Sequence, residues 1–503
     1  MLASALLLAL TGTILLFDAS LGINWGIWVT LVALGIIGTQ WMERARVGRM
    51  TAGLAVLACA FAWGPAVTAS EATLLLGVLA AFGALALAVL TLPDEHGADV
   101  TLPRLMLGPV EAPARGVAEA GRRLQDAVVH SRREESLPVL RGVAFALPVV
   151  GVFGLALSGA DPVFAAVRVR TVELLADFPM GELVFGAVLF IACLGAFGLA
   201  ARGGTPAPEA MRVIPAPMLR LGTTERLIVL GAIASLFGCF LILQLTYLFG
   251  NAPAEQGTGV TFAEYARRGF FELTFVAAAC GALLALMRGS DGRPGDARVI
   301  QLLELTVVAE VVLLLVSAFR KMLLYEAAYG YTVSRLWVQG LMIVLALSLG
   351  ALALELRGSF DVHRLGRRSV AAGAAMLLVF TYWNHEAWIT RRNLDQFNLT
   401  GRYDVAYVAD RLSANAVPAG IEAARTIGGA RGACLDQMIR ARWTERLEAD
   451  RAWFELNLAE RRARIALTRA PMHAPSRAAG QQTTPTTCGE PGMPSPSSTQ
   501  QPS

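Results

Sequence analysis

Two carboxylates, Glu304 and Glu310, interrupt an otherwise apolar stretch from Val299 to Phe319. A charge inside hydrocarbon is costly, so an acid in such a place is kept neutral, paired, or turned toward a polar path where it takes up and releases protons. Glu304 stands little more than one turn from the start of the stretch, within reach of water. Glu310 stands near the middle, and Ser317, seven residues on, shares its helical face. The pair sketches a polar seam. Proton or ion transfer is one use for it, and a protonated, hydrogen-bonded packing group is the other.

Three further segments mix cations with aromatic rings. The first runs from Tyr247 to Leu273 and carries Tyr265, Arg267, Arg268 and Glu272. Arg320, Tyr325, Glu326, Tyr329 and Arg335 lie in the second, Phe319 to Trp337. The third contains Arg392 and Asn393, then Asp404 and Tyr407, and reaches Pro418. Planar guanidinium forks suit bidentate contact with an anionic group such as a lipid phosphate or a carboxylate. Equally, the arginines can pair with Glu264, Glu272, Glu326, Asp404 and Asp410 and fix one part of the chain onto another. Arginine and aromatic residues at helix ends also serve topology alone, by snorkelling and by filling the interfacial belt.

Other chemistry lacks its residues. His385 stands beside Glu386, but no second histidine follows four residues on, so no metal site is expected. There is no Gly-x-Ser-x-Gly elbow and no Gly-rich phosphate loop ending in lysine, and no cofactor is expected. A non-enzymatic role is favoured on these grounds.

The elements that must position these residues are membrane helices. Over 503 residues, 55% hydrophobic content, 16% charge and a mean hydropathy of +0.53 place the chain in a bilayer. Spans are expected near Leu2–Phe17, Trp25–Met42, Thr51–Ala69, Ala72–Leu92, Val139–Ser158, Gly181–Ala201, Arg226–Phe249, Phe270–Met287, Val299–Phe319, Val333–Leu354 and Val370–Trp388. The first lacks the basic start and small-residue cleavage site of a secretory signal, so it is read as a retained helix. Alternate connections hold twenty basic residues, among them Arg44, Arg122, Arg202, Arg293 and Arg364, against seven in the others. Basic loops stay in the cytoplasm, which puts the N-terminus inside and the region after Trp388 outside.

The expected fold is therefore all-α: a polytopic transmembrane helix bundle of about eleven spans with a small helical extracytoplasmic C-terminal region. Residues 1–92 form the first four spans, 93–138 a cytoplasmic loop, 139–389 the remaining spans, 390–470 the outward domain and 471–503 a disordered tail. In the loop, Val117, Gly121, Leu124 and Val128 make an apolar stripe among arginines, fitting a helix on an anionic leaflet or a solvated linker. In the outward domain, Asp404–Leu412 reads as a short helix, Ser413–Ala416 as a turn and Pro418–Ile427 as a helix ended by Gly428 and Gly429. One longer helix then carries Leu435, Ile439, Trp443, Leu447, Phe454, Leu458 and Ile465 on one stripe. Cys434 and Cys488 would share the oxidising side, where a disulfide is permitted. A net charge of +4, spread over loop ends without a basic run among aromatics, points to no nucleic acid.

Tyr265–Leu273, the Tyr325 to Arg335 block, Arg392–Asn393, and Asp404–Tyr407 with Leu412–Pro418 resemble the signature stretches of bacterial polytopic membrane proteins of domain of unknown function 4173 and the related 4153. The likeness covers roughly Arg226 to Trp453. It implies an integral inner-membrane protein and supplies no reaction. Where the resemblance puts an acid before Ala-Val-Pro this chain has Asn415, so no acid–base role is implied there. Three functions remain open: an envelope protein presenting its outward helices to a partner or ligand, a transporter or lipid flippase using Glu310, and a membrane-embedded transferase. Membrane lipids, and another envelope protein meeting the C-terminal helices, are the expected partners.

Overall fold

The computed structural model describes residues 1–42, 48–91, 100–130, 179–202, 223–249, 262–288, 297–448 and 451–469; side chains are described there except at 128–130, 243–249, 262–272, 288 and 297. Every regular element among them is helical. The expected span Val139–Ser158, the proline-rich loop after Arg202, Cys488 and the tail past Pro471 lie outside the described residues. Two compact units result. The first comprises Met1–Pro65, Val78–Val213 and Trp453–Glu455, and the second Ala66–Gly77, Ile214–Ala452 and Leu456–Ser503.

In the first unit stand α1 (Leu2–Leu16), α2 (Ile23–Met42), α3 (Arg49–Ala62), most of α4 (Glu71–Leu90), α5 (Leu102–His130) and α6 (Met180–Ala201). Asn24 closes the turn between α1 and α2. Its amide donates to the Leu15 and Ser20 carbonyls, and its oxygen accepts from the Gly22 and Trp25 N–H groups. Both ends of a buried polar side chain are thereby satisfied.

The arginine-rich stretch forms α5, which packs along α6 through a glycine contact. A Cβ added at Gly195 would fall 2.3 Å from the Gly116 carbonyl oxygen, so the two backbones nearly touch. Beside this contact Glu119, with a fully buried side chain, lies 2.8 Å from Arg122, 3.0 Å from Arg123 and 3.0 Å from Arg202 of the segment after α6. Met106, Val110, Val117 and Leu124 remain exposed on the opposite face. An apolar stripe so placed suits lipid better than water.

The second unit holds α7 (Thr223–Phe249), α8 (Phe262–Arg288), α9 (Ala297–Tyr329), α10 (Val333–Arg357), α11 (Val362–Tyr382) and α12 (His385–Thr400). Leu284, Met287, Val307, Val311, Leu314 and Leu349 fill its main core. Glu304 does not reach water. It is 1% exposed and paired with Arg226 of α7 at 2.8 Å, because α7 packs along the start of α9 and brings a guanidinium to the carboxylate. A charge at that depth is retained by pairing.

Among the described residues, six helical segments are long and apolar enough to cross a membrane: Ile23–Met42, Glu71–Leu90, Met180–Ala201, Thr223–Ile242, Arg298–Tyr329 and Val333–Arg357. Leu2–Leu16 and Leu273–Met287 are apolar but shorter. Helix α3, at 14 residues, rises only about 21 Å against about 30 Å of hydrocarbon. The first turns of α11 carry Arg364, Arg367 and Arg368, and its last residue is Tyr382, short of the expected Trp388. There Asn384 caps a new helix by accepting from the Ala387 N–H.

C-terminal to α12 the chain builds a small core of its own around Tyr403, Val408, Leu412, Ile421, Leu435 and Ile439. Asp404–Leu412 contains a π-helical turn, Tyr407–Arg411, and Ala414–Ala416 a 3-10 turn; α13 (Val417–Ile427) and α14 (Gly429–Glu448) follow. The single long helix expected here is divided. Helix α14 stops at Glu448, and α15 (Leu458–Arg469) begins afresh where Asn457 accepts from the Ala459 and Glu460 N–H groups. That restart resets the helical phase. Ala463 and Leu467 face the core, and Ile465, expected on the buried stripe, is 38% exposed. Cys434 is disulfide-bonded.

Candidate functional site

Four of the cation and aromatic residues singled out above, Tyr325, Tyr329, Arg335 and Tyr407, meet with Asn393 at the short turn Gly330–Thr332 between α9 and α10. Gly330 adopts φ +81°, a left-handed conformation that glycine accepts without strain. Ending there, α9 leaves carbonyl groups without helical partners. Arg335, from the first turn of α10, reaches back and donates to the carbonyls of Tyr329 and Gly330. Its guanidinium also lies 4.3 Å from the centre of the Tyr325 ring, which meets the Tyr329 ring at a tilt with centres 5.0 Å apart. A cation at a helix C-terminus is favoured by the dipole as well as by these acceptors.

Helix α12 and the π turn supply the other side. Asn393 uses its whole amide on Tyr331, its oxygen accepting from the Tyr331 N–H at 2.7 Å and its nitrogen donating to the Tyr331 carbonyl at 2.9 Å. Gln396 donates to the Ala327 carbonyl. The Tyr407 hydroxyl accepts from the Val333 N–H at 2.8 Å, capping a helix donor that has no partner inside α10. Burial is the main reason that the Tyr407 phenol titrates above its ordinary range. Asp404, expected to face an arginine, accepts instead from the Tyr407 N–H at 2.8 Å.

Glu326, also expected to pair with an arginine, is buried and accepts from Gln339 at 2.6 Å. Arg392 lies 5.5 Å from the Trp388 ring and 3.7 Å from Asp395. Arg320 sits exposed on α9. Tyr265, Arg267, Arg268 and Glu272 lie on the first half of α8, where side chains are not described. Glu310 belongs elsewhere, among α7, α8 and α9. Its Oε1 would lie 3.3 Å from a methyl group at Gly238, Cys280 is within its electrostatic reach, and its buried Oε2 has no hydrogen-bond partner among the described residues.

A second polar cluster escapes motif reading. Glu386, nearly fully buried, accepts from the N–H and the hydroxyl of Ser413 at 2.7 and 2.6 Å. Asn384 donates to the Asn415 carbonyl, Asn415 to the Thr68 hydroxyl, and Asn457 to the Thr68 carbonyl. The adjacent Asn384 cap and Ser413 turn were the available signals. The Ser413 oxygen both donates to Glu386 and accepts from the Asn415 N–H, so it is engaged as a turn cap and not poised as a nucleophile. His385 lies edge-on to Phe380 with ring centres 5.4 Å apart.

The arrangement is therefore a set of side chains tied to backbone groups, joining the C-terminal helices to the end of α9 and the start of α10. The family model described as "Domain of unknown function (DUF4153)" matches residues 50–423. No curated protein and no solved structure matches the chain.

Proposed function

This chain belongs to the DUF4153 family of unknown function, and from that premise we propose that it is a non-enzymatic envelope protein of a bacterial inner membrane. Its C-terminal helices form an outward platform for a partner or ligand. One observation carries this reading: Asn393, Tyr407 and Arg335 engage their polar atoms on the backbone of residues 329–333. Groups used in that way seat a domain and leave little for a substrate. The exposed side of α15 carries Arg461, Arg462, Arg464 and Arg469 around Ile465, which fits an acidic partner. Outward placement is supported by the arginine bias of the loops and by the disulfide at Cys434, since disulfides persist in oxidising compartments.

Protease added to spheroplasts tests both parts. In the unaltered protein, residues 404–469 are expected to be reached from outside and cut slowly. Asn393→Ala with Tyr407→Phe leaves the Tyr331 and Val333 backbone groups without these partners, each at a cost of about 1–3 kcal/mol. Cleavage should then rise at least tenfold, a modest demand for about 2 kcal/mol, with membrane levels unchanged. Cutting seen only after the membrane is broken would sink the outward placement. An unaltered rate in the double variant would sink the seating.

A transporter or lipid flippase is the second reading, favoured by the buried Oε2 of Glu310, which has no hydrogen-bond partner among the described residues, within an apolar helix junction. Glu310→Gln keeps the shape and removes the exchangeable acid. On the platform reading, cells carrying this variant behave as wild type. Loss of function at normal membrane abundance would transfer the case to transport.

A further inference from the structure

Helices α8, α10 and α11 leave a groove between them, lined by Ala278, Ala282 and Ala285 on α8, Leu345 and Leu352 on α10, and Ser369 on α11. Its volume is about 240 Å³, below the ~300–1,000 Å³ typical of pockets for drug-sized molecules. Polar recognition inside it is slight, because the Ser348 hydroxyl is already bonded to the Val344 carbonyl. A linear hydrocarbon segment suits such a space, and a sugar or nucleotide does not.

One end of the groove is positively charged. Glu355 lies one turn beyond Leu352, its side chain 1% exposed, and accepts from Nε and Nη2 of Arg364 at 2.6 Å each and from Nη1 of Arg368 at 2.8 Å. Over residues 355–369 four arginines, Arg357, Arg364, Arg367 and Arg368, stand against two carboxylates, Glu355 and Asp361, the latter also acting on Arg364, so positive charge is in excess. Arg368 directly precedes the lining residue Ser369, and Arg364 precedes Leu365, which also lines the groove. The side chains of Arg364 and Arg368 are 38% and 45% exposed, held by Glu355 yet open to a further anion. Ordering by Glu355 also reduces the entropy that an anion would otherwise have to overcome.

We propose that this groove and its rim form a binding site for an anionic phospholipid, one acyl chain lying between α8, α10 and α11 and the phosphate meeting Arg364 and Arg368. Charge decides the occupant. A small-residue stripe on α8 would also accept an apolar helix of a second copy, but such a helix gives no use to a cationic rim. The site is separate from the turn at Gly330–Thr332 and from Glu310.

The full-length protein, delipidated in detergent, is offered phosphatidylglycerol or phosphatidylcholine, and bound lipid and oligomeric mass are read by native mass spectrometry. Phosphatidylglycerol should be retained several-fold better. Arg368→Gln, at a half-exposed position where packing is undisturbed, should weaken phosphatidylglycerol about fivefold, the equivalent of one arginine near an anionic lipid surface, and leave phosphatidylcholine unchanged. Ala282→Phe fills the groove and should displace both lipids. Equal retention of the two lipids, or indifference to Arg368→Gln, overturns the proposal. So does Ala282→Phe splitting a dimer while lipid retention stays constant, which assigns the groove to a second copy.

Discussion

Replacing Arg226 by leucine is expected to destabilise the second unit by about 3–5 kcal/mol, the usual cost of stripping one partner from a buried ion pair. The pair lies 2.8 Å apart, with side chains 5% and 1% exposed, so solvent cannot take over the role of the lost guanidinium. The variant should unfold at markedly lower denaturant concentration in detergent micelles. Arg226→Leu combined with Glu304→Leu should recover part of the loss, since neither member of the pair is then left as a buried charge facing an apolar side chain. If single and double replacements lose equal stability, apolar packing and not the ion pair governs this end of α9.

The contact between α5 and α6 yields an asymmetric expectation. At Gly195 a Cβ would lie 2.3 Å from the oxygen, 2.5 Å from the carbonyl carbon and 2.7 Å from the Cα of Gly116, all of them backbone atoms that cannot rotate away. Gly195→Ala therefore forces the helices apart, at about 1–3 kcal/mol or more for an overpacked site. It also pulls Arg202 from Glu119, whose other two arginines lie on α5 itself. At Gly116 a Cβ meets nothing closer than 3.8 Å, so Gly116→Ala is tolerated and gains helix propensity. Thermal melting of the two variants checks the sign of each. Equal effects would mean that the helices cross with more freedom than the contact implies.

Much of the helical content was legible because apolar runs near the length of a bilayer leave few alternatives. Of the candidate residues, Tyr325, Tyr329, Arg335, Asn393 and Tyr407 meet at one turn, while Arg320 and Arg392 lie apart from it; aromatic and cationic side chains at helix ends are conspicuous in an apolar chain, but their grouping is not. Their partners were not legible either. Arg335 was read as a partner for an anionic ligand or for one of the chain's carboxylates and it bonds carbonyls, because the end of a helix offers acceptors that a residue list does not display. Glu304 was misplaced for a related reason: its counter-charge, Arg226, lies 78 positions away. The division between α14 and α15 was hidden by a stripe that keeps nearly the same period on either side of the break. A single capping asparagine, Asn457, decides it.

Helix α9 runs unbroken for 33 residues, about 50 Å at 1.5 Å per residue, whereas the hydrocarbon layer is about 30 Å thick. A rod that outreaches the layer must either lean steeply or stand proud of it. Arg226 holds it near one tip and Asn393 is bonded just past the other, so this single rod ties the α7 contact to the attachment of the C-terminal helices.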